Sequence, residues 1–384
     1  MTSEQPIDFE VGPIRPPNEA NSLLVRVTRN CPWNHCTFCP VYKGQKFSLR
    51  TVEEVKTDIR SMAAIAEQIK ELSLQIGQDG EMTSAVLRAL PRQNRNMGAA
   101  QVVLFLRDGG RTAFLQDANS VIMPVAKLME ILECLRECFP SIQRITSYAR
   151  SHTLIKRSVE ELRQLREAGL NRIHVGLESG SNRVLEMAKK GVTAEQHIRA
   201  GLRVKEAGIG LSEYVMPGLG GKALSKEHAI ETAKVLCEID PDFIRLRTLA
   251  IAPGSPLAKK YDQKEFEPLG DVEIATELRL MLNGFKGMSG TVRSDHILNL
   301  LGDVDGILPE DLPKMLSLVD RFLELNHQEQ EVFVVGRRLG FFRNLDDLQD
   351  PDIRSRALIA VAQLRKRFPG PINSAIREIM TRFV

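Results

Sequence analysis

The apolar residues of this chain keep two different spacings in turn. Short apolar runs of strand length, at 23–28, 112–115, 144–149, 172–177, 211–216 and 243–249, alternate with segments where apolar side chains recur every three or four residues. Several of the latter announce their own starts. In Thr51-Val-Glu-Glu54, Ser158-Val-Glu-Glu161 and Thr193-Ala-Glu-Gln196 a hydroxyl stands three residues before a carboxylate or amide, so each side chain can satisfy the other's backbone N–H at a helix start. Val55, Ile59, Met62, Ile65 and Ile69 hold helical spacing after the first, with the helix running past Leu72; Leu128, Ile131, Leu132 and Leu135 share one face of a helix over 125–139 that Pro140 ends. The helix opened by Ser158 closes at Gly169, the next at Gly208 and Gly210, and another spans 225–239.

Six strands alternating with helices predict an α/β fold with a parallel sheet, because only crossover connections join parallel neighbours. Before it, Pro6, Pro13, Pro16 and Pro17 make residues 1–19 an extended lead-in. The stretch 77–98, with Asn94-Arg-Asn96, has no clear period, and Ala99–Leu106 is apolar but too short to assign. From Tyr261 the pattern is mostly helical without strand alternation, ending in a helix over 353–368. This divides the chain into a lead-in (1–19), a catalytic-size domain (20–260) and a helical extension (261–384). Arg293, Asp295 and His296 in the extension are substrate-side candidates or, more simply, a surface cap before a helix.

Composition adds bounds. A chain of 384 residues, 43% apolar and 26% charged, can bury a large core. No apolar run of about 18 residues and no charged-then-apolar leader is present, so neither a membrane span nor a secretory signal is expected, and a cytoplasmic location is. With 52 basic against 49 acidic residues and no long basic block, the balance favours a small-molecule or peptide substrate over a large phosphate-neutralising surface.

The chemistry concentrates in Cys31-Pro-Trp-Asn-His-Cys36-Thr-Phe-Cys39, which holds three of the six cysteines. Thiolates are the soft ligands of iron–sulfur clusters and zinc. The spacing is C-x4-C-x2-C and no fourth cysteine follows for dozens of residues, so a cluster held here keeps one position without a protein ligand. A zinc site completed by His35 is the alternative. A disulfide framework suits a reducing compartment poorly. Cys134 and Cys138, one helical turn apart, are close enough for a metal pair but read as core, as does Cys237.

These residues resemble the radical S-adenosylmethionine (SAM) superfamily, whose usual spacing is C-x3-C-x2-C and whose third cysteine follows an aromatic residue, here Phe38. His174-Val-Gly-Leu-Glu-Ser-Gly-Ser with Lys190-Gly191 downstream is similar to the branch holding oxygen-independent coproporphyrinogen oxidases and the Elongator-type and methylthiotransferase enzymes of tRNA modification. The resemblance implies a partial (βα)6 TIM-like barrel with the C-terminal helical extension closing one edge. It implies a [4Fe-4S] cluster on Cys31, Cys36 and Cys39, SAM on the fourth iron, and a low-potential electron donor of flavodoxin or ferredoxin type. Around SAM it implies Phe38 near the adenine, Gln116, Asp117 and Ala118 at the amino group, and Glu178 with Ser179 at the ribose or amino group; an Asx turn or helix N-cap before Val121 and a solvated Glu178 are the alternatives. Gly218 and Gly220, in Pro217-Gly-Leu-Gly-Gly221, and Ala252 with Pro253 would let the backbone approach the nucleoside. The implied activity is reductive cleavage of SAM and hydrogen abstraction from a small-molecule, peptide or RNA-nucleotide substrate. A zinc- or cluster-bearing protein without catalysis is the competing class. No second cysteine triad and no cysteine-rich C-terminal stretch is present, which disfavours sulfur insertion and auxiliary-cluster peptide maturation.

Overall fold

A computed structural model describes residues 8–90, 97–368 and 372–381, so Pro6 and Asn94-Arg-Asn96 lie outside the described residues. The chain forms two compact units.

The first unit comprises 1–32, 44–175 and 203–210. Its strands are β1 (Leu23–Arg26), β2 (Thr112–Gln116), β3 (Arg144–Ala149) and β4 (Leu170–Glu178, the last three residues belonging to the second unit), in that order along the sheet and parallel throughout. Leu23 stands opposite Ala113 and Thr112 opposite Arg144, and the pairing of β3 with β4 shifts register between Ile145 and Thr146. Both bonds of the Thr51–Glu54 capping box form, and the helix Val52–Gln75 buries Val55, Ile59 and Met62 completely. Each such side chain contributes roughly 1.5–3 kcal/mol through removal of apolar surface from water. The apolar stretch 99–106 belongs to the helix Met97–Arg107, whose Phe105 meets Phe139 edge-on at 5.6 Å, and the stretch 77–98 before it holds the short helix Ser84–Ala89. The lead-in is held down: buried Glu19 accepts from Ser22 and, at 3.2 Å through both oxygens, from Arg144.

The second unit comprises 33–43, 176–202 and 211–384. Its strands are β5 (Gly210–Val215, whose first residue belongs to the first unit), β6 (Phe243–Leu246), β7 (Thr291–Arg293) and β8 (Gly306–Ile307). β5, β6 and β7 are parallel and β8 is antiparallel to β7. This corrects the reading of 261–384 as free of strands. With three and two residues, β7 and β8 are too short for a period of two to show. Tyr214, Arg245 and Arg293 form one row across the three parallel strands, on the face opposite Ile244 and Val292. The latter face is apolar: Ile244, Leu246 and Val292 are buried, and Leu246 faces Ile274 and Leu278 of the helix Asp271–Asn283. The helix after β5 is Gly221–Ile239, starting four residues before its predicted start, and the C-terminal helices are Leu312–Glu324, His327–Arg338, Pro351–Arg367 and Ile372–Met380. Among the described residues no helix is long and apolar enough to cross a membrane.

Candidate functional site

In the first unit the site starts at the C-terminal ends of β1 and β2. Arg26, the last residue of β1, donates to Asp117 Oδ2 through Nε and Nη2 at 3.0 and 2.7 Å and to Glu10 Oε1 through Nη1 at 2.8 Å. The same Asp117 oxygen accepts from the backbone N–H of Asn30 at 2.9 Å, one residue before Cys31. Gln116 donates to the carbonyls of Gly12 and Ile14 and accepts from the Gly12 N–H. These two side chains thus fasten the lead-in and the cysteine loop to the sheet, and Ala118 sits half-buried beside them. Asp117 is fully buried and Arg26 only 13% exposed, so the pair is poorly screened. Replacing Arg26 with Leu strands the Asp117 carboxylate and is expected to cost about 3–5 kcal/mol in denaturant unfolding. Adding Asp117→Asn should recover part of that loss; a single-variant loss below about 1 kcal/mol would show the pair to be dispensable.

In the second unit the rest of the cysteine loop is clamped to the turn after the helix Asn182–Met187. Trp33 Nε1 donates to the Lys189 carbonyl at 2.7 Å, and Thr37 bonds the Ala188 carbonyl and the Leu257 N–H, both at 2.9 Å. Gly191 has φ +74°, and a β-carbon there would come within 2.3 Å of the indole, so that position needs glycine both for conformation and for room. Phe38 lies half-buried on a cluster that includes Val184, Met216, Leu249, Leu257 and Phe266. The Lys190 ammonium stands 5.9 Å from the centre of its ring and 2.9 Å from Glu178 Oε1.

Glu178 ends β4 in the left-handed region, φ +63°, a conformation a residue with a β-carbon keeps only when its surroundings enforce it. The enforcement is visible: the Glu178 carbonyl accepts from the Met216 N–H at 3.0 Å, the first bond after β5. The carboxylate folds back over Gly176, where any β-carbon would lie 2.2 Å from Glu178 Oε1 and 2.8 Å from Lys190 Nζ. Glu178 Oε2 has no hydrogen-bond partner among the described residues. An anion with one open acceptor and a cation are therefore held next to an aromatic ring.

The remaining positions divide. Gly218, φ +89°, donates its N–H to Glu277 Oε1 at 2.7 Å. Together with exposed Pro253 it lines a cavity of about 440 Å3 that Ile376 and Arg377 of the last helix close. Ala252 is buried. Gly220 would place a β-carbon 3.0 Å from the Leu224 carbonyl, so it serves the close start of the following helix. Ser179 is also buried: its hydroxyl meets His228 Nδ1 at 2.8 Å while His228 Nε2 faces the Met216 carbonyl at 3.2 Å. A carbonyl only accepts, so the His228 proton sits on Nε2 and Nδ1 accepts from Ser179. Burial pushes the imidazole pKa down and keeps it neutral. His228 therefore ties the turn after β4 to the turn after β5.

Sequence reasoning missed Glu213 on β5. It is fully buried and neither carboxyl oxygen has a hydrogen-bond partner. Burial drives its pKa well above 4.5, with the Lys190 charge opposing and the Glu178 charge adding. The folded state thus holds a proton here that the unfolded chain releases above about pH 4.5, and this group's contribution to stability falls as pH rises. Glu213→Gln removes that proton uptake and is expected to stabilise the protein at pH 8 by about 1–3 kcal/mol, with the gain shrinking towards pH 5. A pH-independent difference in thermal or denaturant unfolding would contradict the assignment.

All six cysteines are thiols. Among the described residues no three His, Cys, Asp or Glu side chains are drawn together closely enough to hold a metal ion. Cys31 falls in the first unit and Cys36 and Cys39 in the second. His35 packs edge-on against Trp33 with ring centres 4.9 Å apart. Cys134 is buried beside Cys138, and burial followed by that neighbour raises its thiol pKa.

Several known proteins are similar to this chain. The chain is 25% identical over 161 residues to a tRNA uridine(34) acetyltransferase of Methanocaldococcus infernus, covering 41% of this chain and 30% of the relative. It is 22% identical over 348 residues to a tRNA-2-methylthio-N(6)-dimethylallyladenosine synthase of Methylococcus capsulatus, covering 82% and 66%. The chain therefore spans less than a third of the first relative's length and about two thirds of the second's. Coproporphyrinogen III oxidase of Escherichia coli, a radical SAM enzyme, superposes with a TM-score of 0.42 at 16% identity over 68% of this chain and 52% of that one. Residues 25–234, more than half of the chain, match the model of the radical SAM superfamily. The chain belongs to that superfamily, whose enzymes work with a [4Fe-4S] cluster and SAM.

Proposed function

We propose that this enzyme cleaves SAM reductively at a cluster held by Cys31, Cys36 and Cys39 and uses the product to abstract hydrogen from a substrate, with an RNA nucleotide the class that its relatives' names favour. When bound, the cluster would supply the single electron for reductive cleavage of SAM. The observation that carries the reading is the Glu178–Lys190 pair beside Phe38. The open Glu178 oxygen suits a ribose hydroxyl or an ammonium, the Lys190 ammonium suits a carboxylate, and the Phe38 ring suits an adenine. Gly176 supports the fit, since only a residue without a β-carbon leaves room for both charged groups.

The protein's own residues have four tasks. Asp117, anchored by Arg26, holds the backbone that leads into Cys31. Trp33 and Thr37 hold the stretch that carries Cys36 and Cys39 against the 188–191 turn. His228 sets the turns after β4 and β5. Phe38 and its apolar neighbours keep water from the reacting carbon. The reductant is a low-potential donor of the class radical SAM enzymes require. Anaerobic reconstitution is expected to yield about four irons per chain and 5′-deoxyadenosine on adding SAM and dithionite. Stoichiometric zinc with no SAM cleavage would overturn the reading in favour of a structural metal protein.

A further inference from the structure

The row Tyr214, Arg245 and Arg293 turns away from the helix-packed face of β5, β6 and β7. Arg247 follows two residues after Arg245, and its N–H bonds the Val215 carbonyl at 2.9 Å, so the ladder continues and the two arginines point the same way. They lie at the C-terminal ends of parallel strands, the end where such folds gather their chemistry.

The donors in this corner outnumber the acceptors. Arg245 is 5% exposed; its Nη1 pairs with Asp295 at 2.9 Å, and its Nε, buried, has no partner. Arg293 is paired with Asp305. The exposed Arg247 side chain makes no hydrogen bond or ion pair among the described residues. His296 Nδ1 accepts from the Leu298 N–H at 3.2 Å, which leaves the ring proton on Nε2 without an acceptor. Burial and then the Arg247 charge hold this imidazole down to about 4, so at neutral pH it is an uncharged donor. Both nearby carboxylates are already spent.

We infer that Arg247, His296 Nε2–H and Arg245 Nε–H form a receptor for an oxyanion, a phosphate or carboxylate carried by the substrate, at the mouth of β6 and β7. Guanidinium and imidazole N–H groups match the in-plane lone pairs of such an anion. With Asp295 and Asp305 already paired to Arg245 and Arg293, the Arg247 charge is left uncompensated and would repel a cation. The inference rests on the reading of this face as the one that receives substrate, and it adds which part of a substrate is gripped.

The test needs no substrate and no turnover. In the reconstituted full chain, phenylglyoxal labels accessible arginines, and mass spectrometry of the peptides reports Arg247 against exposed Arg163 as reference. Millimolar inorganic phosphate or acetate, tried separately, should slow labelling of Arg247 about threefold or more, as expected once a ligand exceeds its Kd, and leave Arg163 unchanged. Protection by phosphate alone assigns a phosphate, and protection by acetate alone a carboxylate. His296→Ala should remove most of the protection. Equal slowing at Arg163, no slowing by either anion, unchanged protection in His296→Ala, or slowing of Arg247 by SAM alone would each overturn the proposal. Because no outcome depends on reductive cleavage, failure here is distinguishable from failure of the SAM reading.

Discussion

Cys36→Ala is expected to leave a folded protein that retains no cluster and forms no 5′-deoxyadenosine. Three thiolates are the minimum that holds a [4Fe-4S] cluster with one position open, and two leave a second iron unsupported. The loop has anchors besides that sulfur, in the Trp33, Thr37 and Asn30 bonds. Unfolding of the metal-free variant should therefore stay within about 1 kcal/mol of the parent. Iron and sulfide analysis, visible absorbance and product chromatography measure the first part. Cys138→Ala serves as the comparison and should keep both cluster and cleavage, because that side chain belongs to the helix Val125–Cys138. Cleavage surviving in Cys36→Ala would remove the ligand assignment.

The second large effect is expected at Glu178. Its Oε1 is committed to Lys190 and its Oε2 is open. Glu178→Gln keeps the shape and one acceptor but loses the charge, so a hydrogen bond to a charged group becomes a neutral one. Such a change costs about 1.5–3 kcal/mol, or roughly 10- to 100-fold in Kd for SAM, measured by equilibrium dialysis against the reconstituted protein. Lys190 and Glu178 are each 12% exposed, and the glutamine leaves the ammonium without its counter-charge. A modest fall in thermal midpoint should accompany the loss of affinity. Unchanged SAM affinity would place the cofactor elsewhere and leave the pair a role in folding alone.

Much of the scaffold could be read because its signals are local. The six strands expected from the sequence lie within a few residues of their apolar runs, and the Thr51 and Ser158 capping boxes form both reciprocal bonds. Met97–Arg107 escaped because it is apolar nearly all round: with Val102, Val103 and Phe105 buried, no polar face marks the period. The strands β7 and β8 escaped because three and two residues carry no periodicity. At the candidate site, Phe38, Glu178 and the glycine turn after β5 were singled out through the family resemblance, and the structure sets Lys190 against both Phe38 and Glu178. The Glu213 carboxyl was not, since one acid in an apolar run looks like a solvent-facing position until burial is known. His228 was not either, because its partners, Ser179 and the Met216 carbonyl, are distant in sequence. Asp117 was legible as a position but not as a function; only the structure showed its carboxylate engaged by Arg26 and the Asn30 N–H.

The most direct measurement is low-temperature electron paramagnetic resonance of anaerobically reconstituted, dithionite-reduced protein, recorded with and without SAM. A thiolate-bound cluster with an open iron predicts the signal of a reduced [4Fe-4S] centre whose g values shift when SAM is added, and the Cys36→Ala sample should lack it. A cluster signal identical in the two spectra, or no cluster signal at all, would contradict the account.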